Sequence, residues 1–180
     1  AIPTEYSSYG FTADATPGSL EAIRHRRAGV QDEGSQLVTS VFARAASDKN
    51  SWLDLCAGPG GKAALLASIA KEEGHLFTAN EISPARAELV KRVVAGAPVW
   101  VGDAREILQK EEMFDAVLAD LPCTGLGALR RRPEVRWRRN ISDLRSLIQL
   151  QSEISDAAIS VLNIGGVFGY ATCSPHMAET

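Results

Sequence analysis

Three cysteines are the residues of this 180-residue chain that are best suited to covalent chemistry. They are Cys56, Cys123 and Cys173. Their spacing is neither the Cys-x-x-Cys of a metal site nor the dense framework of a small secreted protein, so we expect reduced thiols in a cytoplasmic protein and no bound metal. A thiolate can act as a nucleophile and form a covalent intermediate. An isolated cysteine is more often buried packing, and we interpret Cys56 in that way.

The elements that position these cysteines alternate between short apolar segments and segments with helical spacing of apolar residues. Predicted strands lie within 51–55, 75–82, 99–101, 114–119 and 167–171, and predicted helices cover 31–46, 62–70, 83–94 and about 141–162, the last ended by Gly165-Gly166. Strands that alternate with helices predict an α/β fold with a mostly parallel sheet flanked by helices. Such sheets bind ligands at the carboxyl ends of their strands. Cys123 and Cys173 each follow a predicted strand at that edge.

A glycine-rich turn joins the first predicted strand to the first helix of the sheet, in Cys56-Ala57-Gly58-Pro59-Gly60-Gly61-Lys62. It matches neither the dinucleotide-binding Gly-x-Gly-x-x-Gly nor a P-loop. Glu81 ends the next strand about 20 residues later, where an acid can accept from both ribose hydroxyls of a nucleoside. Asp103 ends the third strand, where it could accept from an adenine amino group, although it also suits a helix N-cap. Together these positions favour an adenosyl ligand.

Four segments of the chain together resemble a known enzyme family. They are Gln31–Gln36, Asp54–Lys62, Asp120-Leu121-Pro122-Cys123-Thr124-Gly125 and Ala171-Thr172-Cys173-Ser174. In this order they resemble the Sun/Fmu-type RNA cytosine-5 methyltransferases, which include bacterial 16S ribosomal RNA enzymes, from about residue 30 onward. The resemblance implies a Rossmann-like fold that uses S-adenosyl-L-methionine, with residues 1–30 as an irregular lead-in and 31–180 as the catalytic domain. It implies a cofactor site of Cys56, Ala57, Gly58, Pro59, Gly60, Gly61, Lys62, Glu81, Asp103 and Asp120.

The chemistry of the expected reaction explains why two cysteines are useful. Carbon 5 of cytosine is a poor nucleophile until a thiolate adds to carbon 6 of the ring, after which carbon 5 can accept a methyl group. The resemblance implies that Cys173 attacks and that Cys123 assists release of the product. It also implies that Asp120 bonds the cytosine edge near ring nitrogen 3. Lys62 could orient the base or hold a thiolate, because an adjacent cation lowers the pKa of a thiol.

A cluster of arginines around one tryptophan follows the second cysteine segment. Its members are Arg130, Arg131, Arg132, Arg136, Trp137, Arg138 and Arg139. Arginine binds phosphate and stacks on bases, and tryptophan also stacks on bases. The position of the cluster therefore favours contact with RNA. We expect ribosomal RNA, with transfer RNA as the alternative. An ordinary solvated face is the other interpretation, and the net charge of −3 supports neither.

Several alternatives remain open from the sequence alone. A DNA cytosine-5 methyltransferase would use Cys123 as its nucleophile, and a non-catalytic RNA-binding or ribosome-assembly factor could retain the same fold. His176 beside Ser174 could form a cysteine–histidine pair for hydrolysis, the least favoured hypothesis. The chain stops seven residues after Cys173, so we expect a truncation at the C-terminus of the methyltransferase sheet. No apolar run is long enough to predict a membrane span.

Overall fold

Five parallel strands form the central sheet and bring the predicted motifs to one edge. In this computed structural model the described residues are 1–138 and 140–180. The strands are β1 (Ile2–Pro3), β2 (Phe11–Thr12), β3 (Ser51–Asp54), β4 (Leu76–Glu81), β5 (Val99–Val101), β6 (Phe114–Asp120) and β7 (Leu162–Ala171). The main sheet has the order β5-β4-β3-β6-β7, and every pair in it is parallel. The predicted α/β fold is confirmed.

Helices cover both faces of the sheet. They are α1 (Glu21–Arg24), α2 (Glu33–Ala45), α3 (Gly61–Glu73), α4 (Pro84–Lys91), α5 (Val135–Arg138) and α6 (Ile141–Ser160), with short 3-10 turns at 17–19, 104–110 and 126–128. Successive side chains of a strand point to opposite faces, so Trp52 packs with Phe42 and Leu66 of one core, and Leu53 with Ile107 and Ile154 of the other. Burial on both faces explains why these strands are apolar without alternation.

The end of α4 differs from the prediction. Ser83 is the N-cap, its hydroxyl accepting from the Arg86 amide at 3.4 Å, and Pro84 occupies the first turn as expected. The helix ends at Lys91 instead of residue 94. The next turn uses three-residue hydrogen bonds, from the Arg92 amide to the Leu89 carbonyl at 3.2 Å and from the Val93 amide to the Val90 carbonyl at 2.9 Å. Ala95 and Gly96 then have left-handed φ of 51° and 88°, which prevents any further helix.

The interpretation of Gly165-Gly166 as the end of the long helix is wrong. Helix α6 ends at Ser160, and β7 already begins at Leu162, five residues earlier than predicted. The glycines lie inside β7, where the pairing with β6 shifts register between Phe114 and Ala116. A glycine inside a strand commonly marks such an irregularity, and Gly165 has a φ of +79°.

The first 30 residues contain a two-stranded antiparallel hairpin of β1 and β2 and the four-residue helix α1. Helix α2 fastens this segment, because the Glu33 carboxylate accepts from the amides of Tyr6 and Ser7 at 2.7 and 3.0 Å. The carboxamide oxygen of Gln36 accepts from the Ser7 hydroxyl at 2.7 Å. Among the described residues, the helices are all too short or too polar to cross a bilayer.

We predict that Gly166→Ala destabilises the protein. The added Cβ would lie 2.8 Å from the carbonyl oxygens of Asp115 and Asn163, and overpacking of this kind costs about 1–3 kcal/mol. Urea denaturation should show a lower free energy of unfolding for this variant. Gly18→Ala is the control, because a Cβ there meets nothing within 4 Å. Equal stabilities of the two variants would contradict the packing argument.

Candidate active site

The two cysteines that follow β6 and β7 meet at the carboxyl edge of the sheet. The Sγ atoms of Cys123 and Cys173 are 3.3 Å apart, within hydrogen-bond distance for sulfur. Backbone bonds hold the two loops together, from the Leu121 amide to the Ala171 carbonyl at 2.8 Å and from the Gly127 amide to the Cys173 carbonyl at 2.9 Å. The predicted convergence of these two thiols is confirmed.

The two thiols are in different electrostatic states. The hydrogen bond from the Cys123 thiol lowers the pKa of Cys173 to about 6 and outweighs the opposing effects of burial and Asp120, while Lys62 makes a smaller contribution that also lowers this pKa. The same hydrogen bond, reinforced by burial, raises the pKa of Cys123. Cys173 is exposed and Cys123 is buried, so a charge is less costly to place on Cys173. At neutral pH the pair therefore consists of a Cys173 thiolate and a Cys123 thiol.

Lys62 and Asp120 form an ion pair beside the thiols. The Lys62 ammonium donates to the Asp120 carboxylate at 2.7 Å and lies 3.5 Å from the Ser35 hydroxyl. Both side chains are partly shielded from solvent. Helix α3 supplies the lysine and β6 supplies the aspartate. The ion pair therefore connects the beginning of α3, which follows the glycine-rich turn, to the end of β6, which precedes Cys123. Two of the predicted catalytic residues are thus in direct contact.

Glu81 holds the glycine-rich turn in place. Its carboxylate accepts from the amides of Gly58 at 2.9 Å and Ser83 at 2.8 Å, and it pairs with the Arg86 guanidinium at 2.6 Å. A Cβ at position 58 would lie 2.1 Å from this carboxylate, so a larger residue there would displace the Glu81 side chain from the turn. Gly60 has a φ of +115°, which favours glycine for a different reason. Contact of Glu81 with a ribose stays a prediction.

Asp103 forms the predicted helix cap. It accepts from the Arg105 amide at 3.0 Å, and its carboxylate pairs with the Arg105 guanidinium at 2.6 Å. Arg105 also binds Glu153 of α6 at 2.9 Å. These contacts tie the end of β5 to α6, while a contact of Asp103 with adenine stays a prediction.

Asp54 is a site residue to which the sequence reasoning gave no role. It ends β3, is fully buried, and neither carboxylate oxygen has a full hydrogen bond within the described part of the chain. Burial and the nearby Asp120 raise the pKa of Asp54 to about 7, and Lys62 and the Cys56 amide offset this only in part. The sequence signal that could have identified Asp54 is its position at the end of a strand, directly before the glycine-rich turn. An acceptor buried this way suits a ligand with a hydrogen-bond donor.

Asn80 presents a second acceptor of this kind beside the turn. Its amide nitrogen donates to the carbonyls of Leu55 at 3.1 Å and Gly102 at 3.2 Å, which ties together the ends of β3 and β5. Its buried carbonyl oxygen has no partner among the described residues. The buried acceptors of Asp54 and Asn80, next to an open glycine turn, fit a cofactor with amino and hydroxyl donors.

Cys56 and His176 have no role in the thiol pair. Burial raises the pKa of Cys56 to about 12, as expected for a packed thiol within the turn. The His176 imidazole Nδ1 accepts from the Ala178 amide at 3.1 Å, so this nitrogen stabilises the local turn. The described contacts give no support to a cysteine–histidine pair for hydrolysis.

The arginine-rich segment lies directly after the Cys123 loop. Trp137 is 83% exposed, and four of the arginines are exposed as well, namely Arg130, Arg131, Arg132 and Arg136. Arg131 pairs with Asp32 at the start of α2. Arg138 is the last residue of α5, and Arg139 lies outside the described residues. Contact of this segment with RNA stays a prediction.

Comparison with known proteins assigns the family. The family model described as 16S rRNA methyltransferase RsmB/F matches residues 41–180. The chain belongs to the RsmB/F family. A Mycobacterium tuberculosis protein is 52% identical to this RsmB/F chain in an alignment of 168 residues that covers 91% of this chain and 36% of the relative. Ribosomal RNA small subunit methyltransferase B of Escherichia coli O6:K15:H31 is 44% identical over 168 residues, covering 88% of this chain and 38% of the relative.

Solved structures share the fold of this RsmB/F chain. The crystal structure of PH0851 has a TM-score of 0.80 and 28% identity, over 93% of this chain and 39% of the other. The structure of NSun6 from Pyrococcus horikoshii with SFG has a TM-score of 0.76 and 24% identity, over 91% and 42%. The chain thus spans less than half the length of each relative. The fold is that of S-adenosyl-L-methionine-dependent methyltransferases.

We predict that Asp54 makes the protein less stable as the pH rises from about 4 to about 7. The folded state retains the proton up to a pKa of about 7, whereas the unfolded state releases it near 3.8, so the folded state is increasingly disfavoured across this window. Three pKa units correspond to a cost on the order of 4 kcal/mol at pH 8. Asp54→Asn should remove this cost in the absence of cofactor.

Urea denaturation at pH 5 and pH 8 checks this expectation. The Asn variant should lose less stability between the two pH values than the parent protein does. Asp156→Asn, on the exposed face of α6, is the matched control and should follow the parent. A parent and an Asp54→Asn variant with the same pH dependence would show that Asp54 is ionised in the folded state.

We also predict that alkylation of Cys173 by iodoacetamide has a pH midpoint near 6, because only the thiolate reacts. Cys123→Ala removes the hydrogen-bond donor, so the midpoint should rise toward the ordinary thiol value. Mass spectrometry of the labelled peptides measures both thiols, and Cys56 should stay unlabelled as an internal control. A midpoint that is the same in parent and variant would refute the hydrogen bond as the cause.

Proposed function

We propose that the protein methylates carbon 5 of a cytosine in RNA, with Cys173 as the covalent nucleophile. The observation that supports this most directly is the thiol pair at 3.3 Å beside the ion pair of Lys62 and Asp120. A lone thiolate could only add to a ring, whereas a second thiol at this distance offers a group to complete the reaction. Membership of a family of 16S rRNA methyltransferases supports ribosomal RNA as the substrate, in the cytoplasm, ahead of transfer RNA.

The Cys173 thiolate adds to carbon 6 of the cytosine, forming a sulfur–carbon bond and moving electrons toward ring nitrogen 3. Asp120 would hydrogen-bond the cytosine edge beside that nitrogen, and the Lys62 ammonium, which is paired with this carboxylate, would offset the negative charge that develops on the ring. Bound S-adenosyl-L-methionine supplies the methyl group that carbon 5 accepts. Removal of the proton from carbon 5 then restores the ring double bond and expels the Cys173 thiolate.

Cys123 is suited to that last step by its coupling to Cys173. Its pKa is high because it donates to a neighbouring thiolate. When Cys173 becomes a neutral thioether, the negative charge that raised the pKa of Cys123 disappears. The Cys123 thiol then ionises more easily and can act as the base that assists product release.

The cofactor would occupy the strand ends beside the glycine turn. Asp54 and Asn80 would accept hydrogen bonds from its donors, and Gly58 and Gly60 permit its close approach. We propose that Glu81 faces the ribose and Asp103 the adenine, each remaining partly held by its arginine partner.

The arginine-rich segment would contact the RNA around the target base. An exposed tryptophan offers a stacking surface, and the exposed arginines offer phosphate contacts. The target cytosine must be unpaired or rotated out of its helix to reach Cys173. Arg131 is the weakest candidate of the group, since its guanidinium already pairs with Asp32.

We predict that the two cysteine variants fail in different ways. With full-length protein, 16S rRNA and S-adenosyl-L-methionine, Cys123→Ala should accumulate a covalent protein–RNA adduct that survives a denaturing gel, because attack proceeds and release does not. Cys173→Ala should form no adduct and lose methylation by at least about 10³-fold, as expected for loss of a nucleophile. Bisulfite sequencing of the RNA identifies the modified position.

The double variant, Cys123→Ala with Cys173→Ala, is the control and should form no adduct. A DNA-type mechanism gives the opposite pattern, with the adduct dependent on Cys123. Full-length protein that binds RNA but fails to bind S-adenosyl-L-methionine in calorimetry would favour the assembly-factor alternative.

A further inference from the structure

A buried carboxylate near the end of the chain contacts both cysteine loops. Glu179 has no exposed surface, and its carboxylate accepts from the Thr124 amide at 2.8 Å and from the Thr124 hydroxyl. The Gln151 carboxamide donates to the same carboxylate at 3.1 Å. A buried charge of this kind is stable only when several donors surround it.

The hydrogen bonds of Glu179 extend to the residues on both sides of each cysteine. Thr124 follows Cys123, and its hydroxyl lies 3.0 Å from that of Ser174, which follows Cys173. Thr172, which precedes Cys173, donates to the backbone carbonyl of Glu179 at 3.2 Å. The residues before and after Cys173, Thr172 and Ser174, are therefore both held by hydrogen bonds of this network.

The network reaches the residue before Cys123 through Gln151. This α6 side chain donates to the Pro122 carbonyl at 2.9 Å as well as to Glu179. Tyr170 donates to the Glu179 carbonyl at 3.1 Å and lies 3.3 Å from the Gln151 side-chain oxygen. All four residues that flank the two cysteines are thus bonded to Glu179, to Gln151 or to a residue that Glu179 contacts.

We propose that Glu179 is a positioning residue that sets the distance between the Cys123 and Cys173 thiols, because it binds Thr124 directly and Ser174 through the Thr124 hydroxyl. This assignment rests on the proposed function, because it explains how the two thiols of that reaction are held at their distance. The role requires a carboxylate, because both oxygens accept hydrogen bonds. Burial raises the pKa of Glu179, but the hydrogen bonds from Ser174 and Thr124 outweigh it and lower the pKa, so the group is ionised.

A glutamine at position 179 distinguishes positioning from simple packing. It has nearly the same shape, but only one of its two polar atoms can accept, so it cannot accept from the Thr124 hydroxyl and from the Thr124 amide and Gln151 at the same time. In full-length protein, Glu179→Gln should raise the pH midpoint of Cys173 alkylation by about one unit, because the Cys123 donor moves away. We expect kcat for 16S rRNA methylation to fall about 10- to 100-fold, since small misplacements of reacting groups have effects of this size. KM and the Kd for S-adenosyl-L-methionine should stay within about twofold of the parent values.

Two further variants complete the test. Glu72→Gln, on the exposed end of α3, is the matched control and should behave as the parent in every measurement. Thr124→Val removes one donor and should shift the alkylation midpoint in the same direction by a smaller amount, which keeps the test valid if Glu179→Gln does not fold. An unchanged midpoint in folded Glu179→Gln, or in Thr124→Val when the glutamine variant does not fold, overturns the proposal.

The outcomes for the two proposals differ. If the parent does not methylate RNA but its alkylation midpoint still rises in Glu179→Gln, the positioning role stands and the proposed function fails. If the parent methylates RNA and the midpoint is unaffected by the substitution, the proposed function stands and the positioning role fails.

Discussion

The register between β6 and β7 is the constraint on which the site depends. Asp120 pairs with Ala171 across the two parallel strands. Cys123 lies three residues after Asp120, and Cys173 lies two residues after Ala171, so both cysteines come shortly after the same strand pair. A shift of this pairing by one residue would turn every side chain of β7 to the other face. Fifty positions separate the cysteines along the chain, and this strand pairing brings them to the same place. The glycines that shift the register at the beginning of β7 are therefore part of the site's construction.

A repeated electrostatic arrangement runs along the carboxyl edge of the sheet. Three strand-end acids each have a basic partner: Glu81 with Arg86, Asp103 with Arg105, and Asp120 with Lys62. Each pair joins a strand end to the turn or helix that follows it or lies beside it. Asp54 at the centre of the sheet has no such partner within a described ion pair, and it is the acid with the strongly raised pKa. A ligand that donates to this carboxylate would relieve a cost that the folded chain alone cannot avoid.

Sequence patterns were sufficient for the residues that act locally. The strand ends at Glu81, Asp103 and Asp120, the cap at Ser83 and the alternation of strands with helices all follow from short-range rules of propensity and spacing. The glycines of β7 were misassigned because the same dipeptide that ends a helix can also permit an irregular strand. No local rule could reveal Glu179, whose bond to Thr124 spans 55 positions. The burial of Asp54, likewise, depends on β4 and β6, which pair with β3 on its two sides.

The three tryptophans of the chain report on different parts of the molecule. Trp52 is fully buried in the core, Trp100 is half-buried against Phe114, and Trp137 is almost completely in solvent. Their fluorescence should therefore differ in wavelength and in access to an aqueous quencher such as acrylamide. A nucleic acid base stacked on Trp137 would remove only the red-shifted, quenchable part of the emission and leave the core signal intact. The fluorescence of Trp137 would therefore report nucleic acid binding, and that of Trp52 would report unfolding, without any added label.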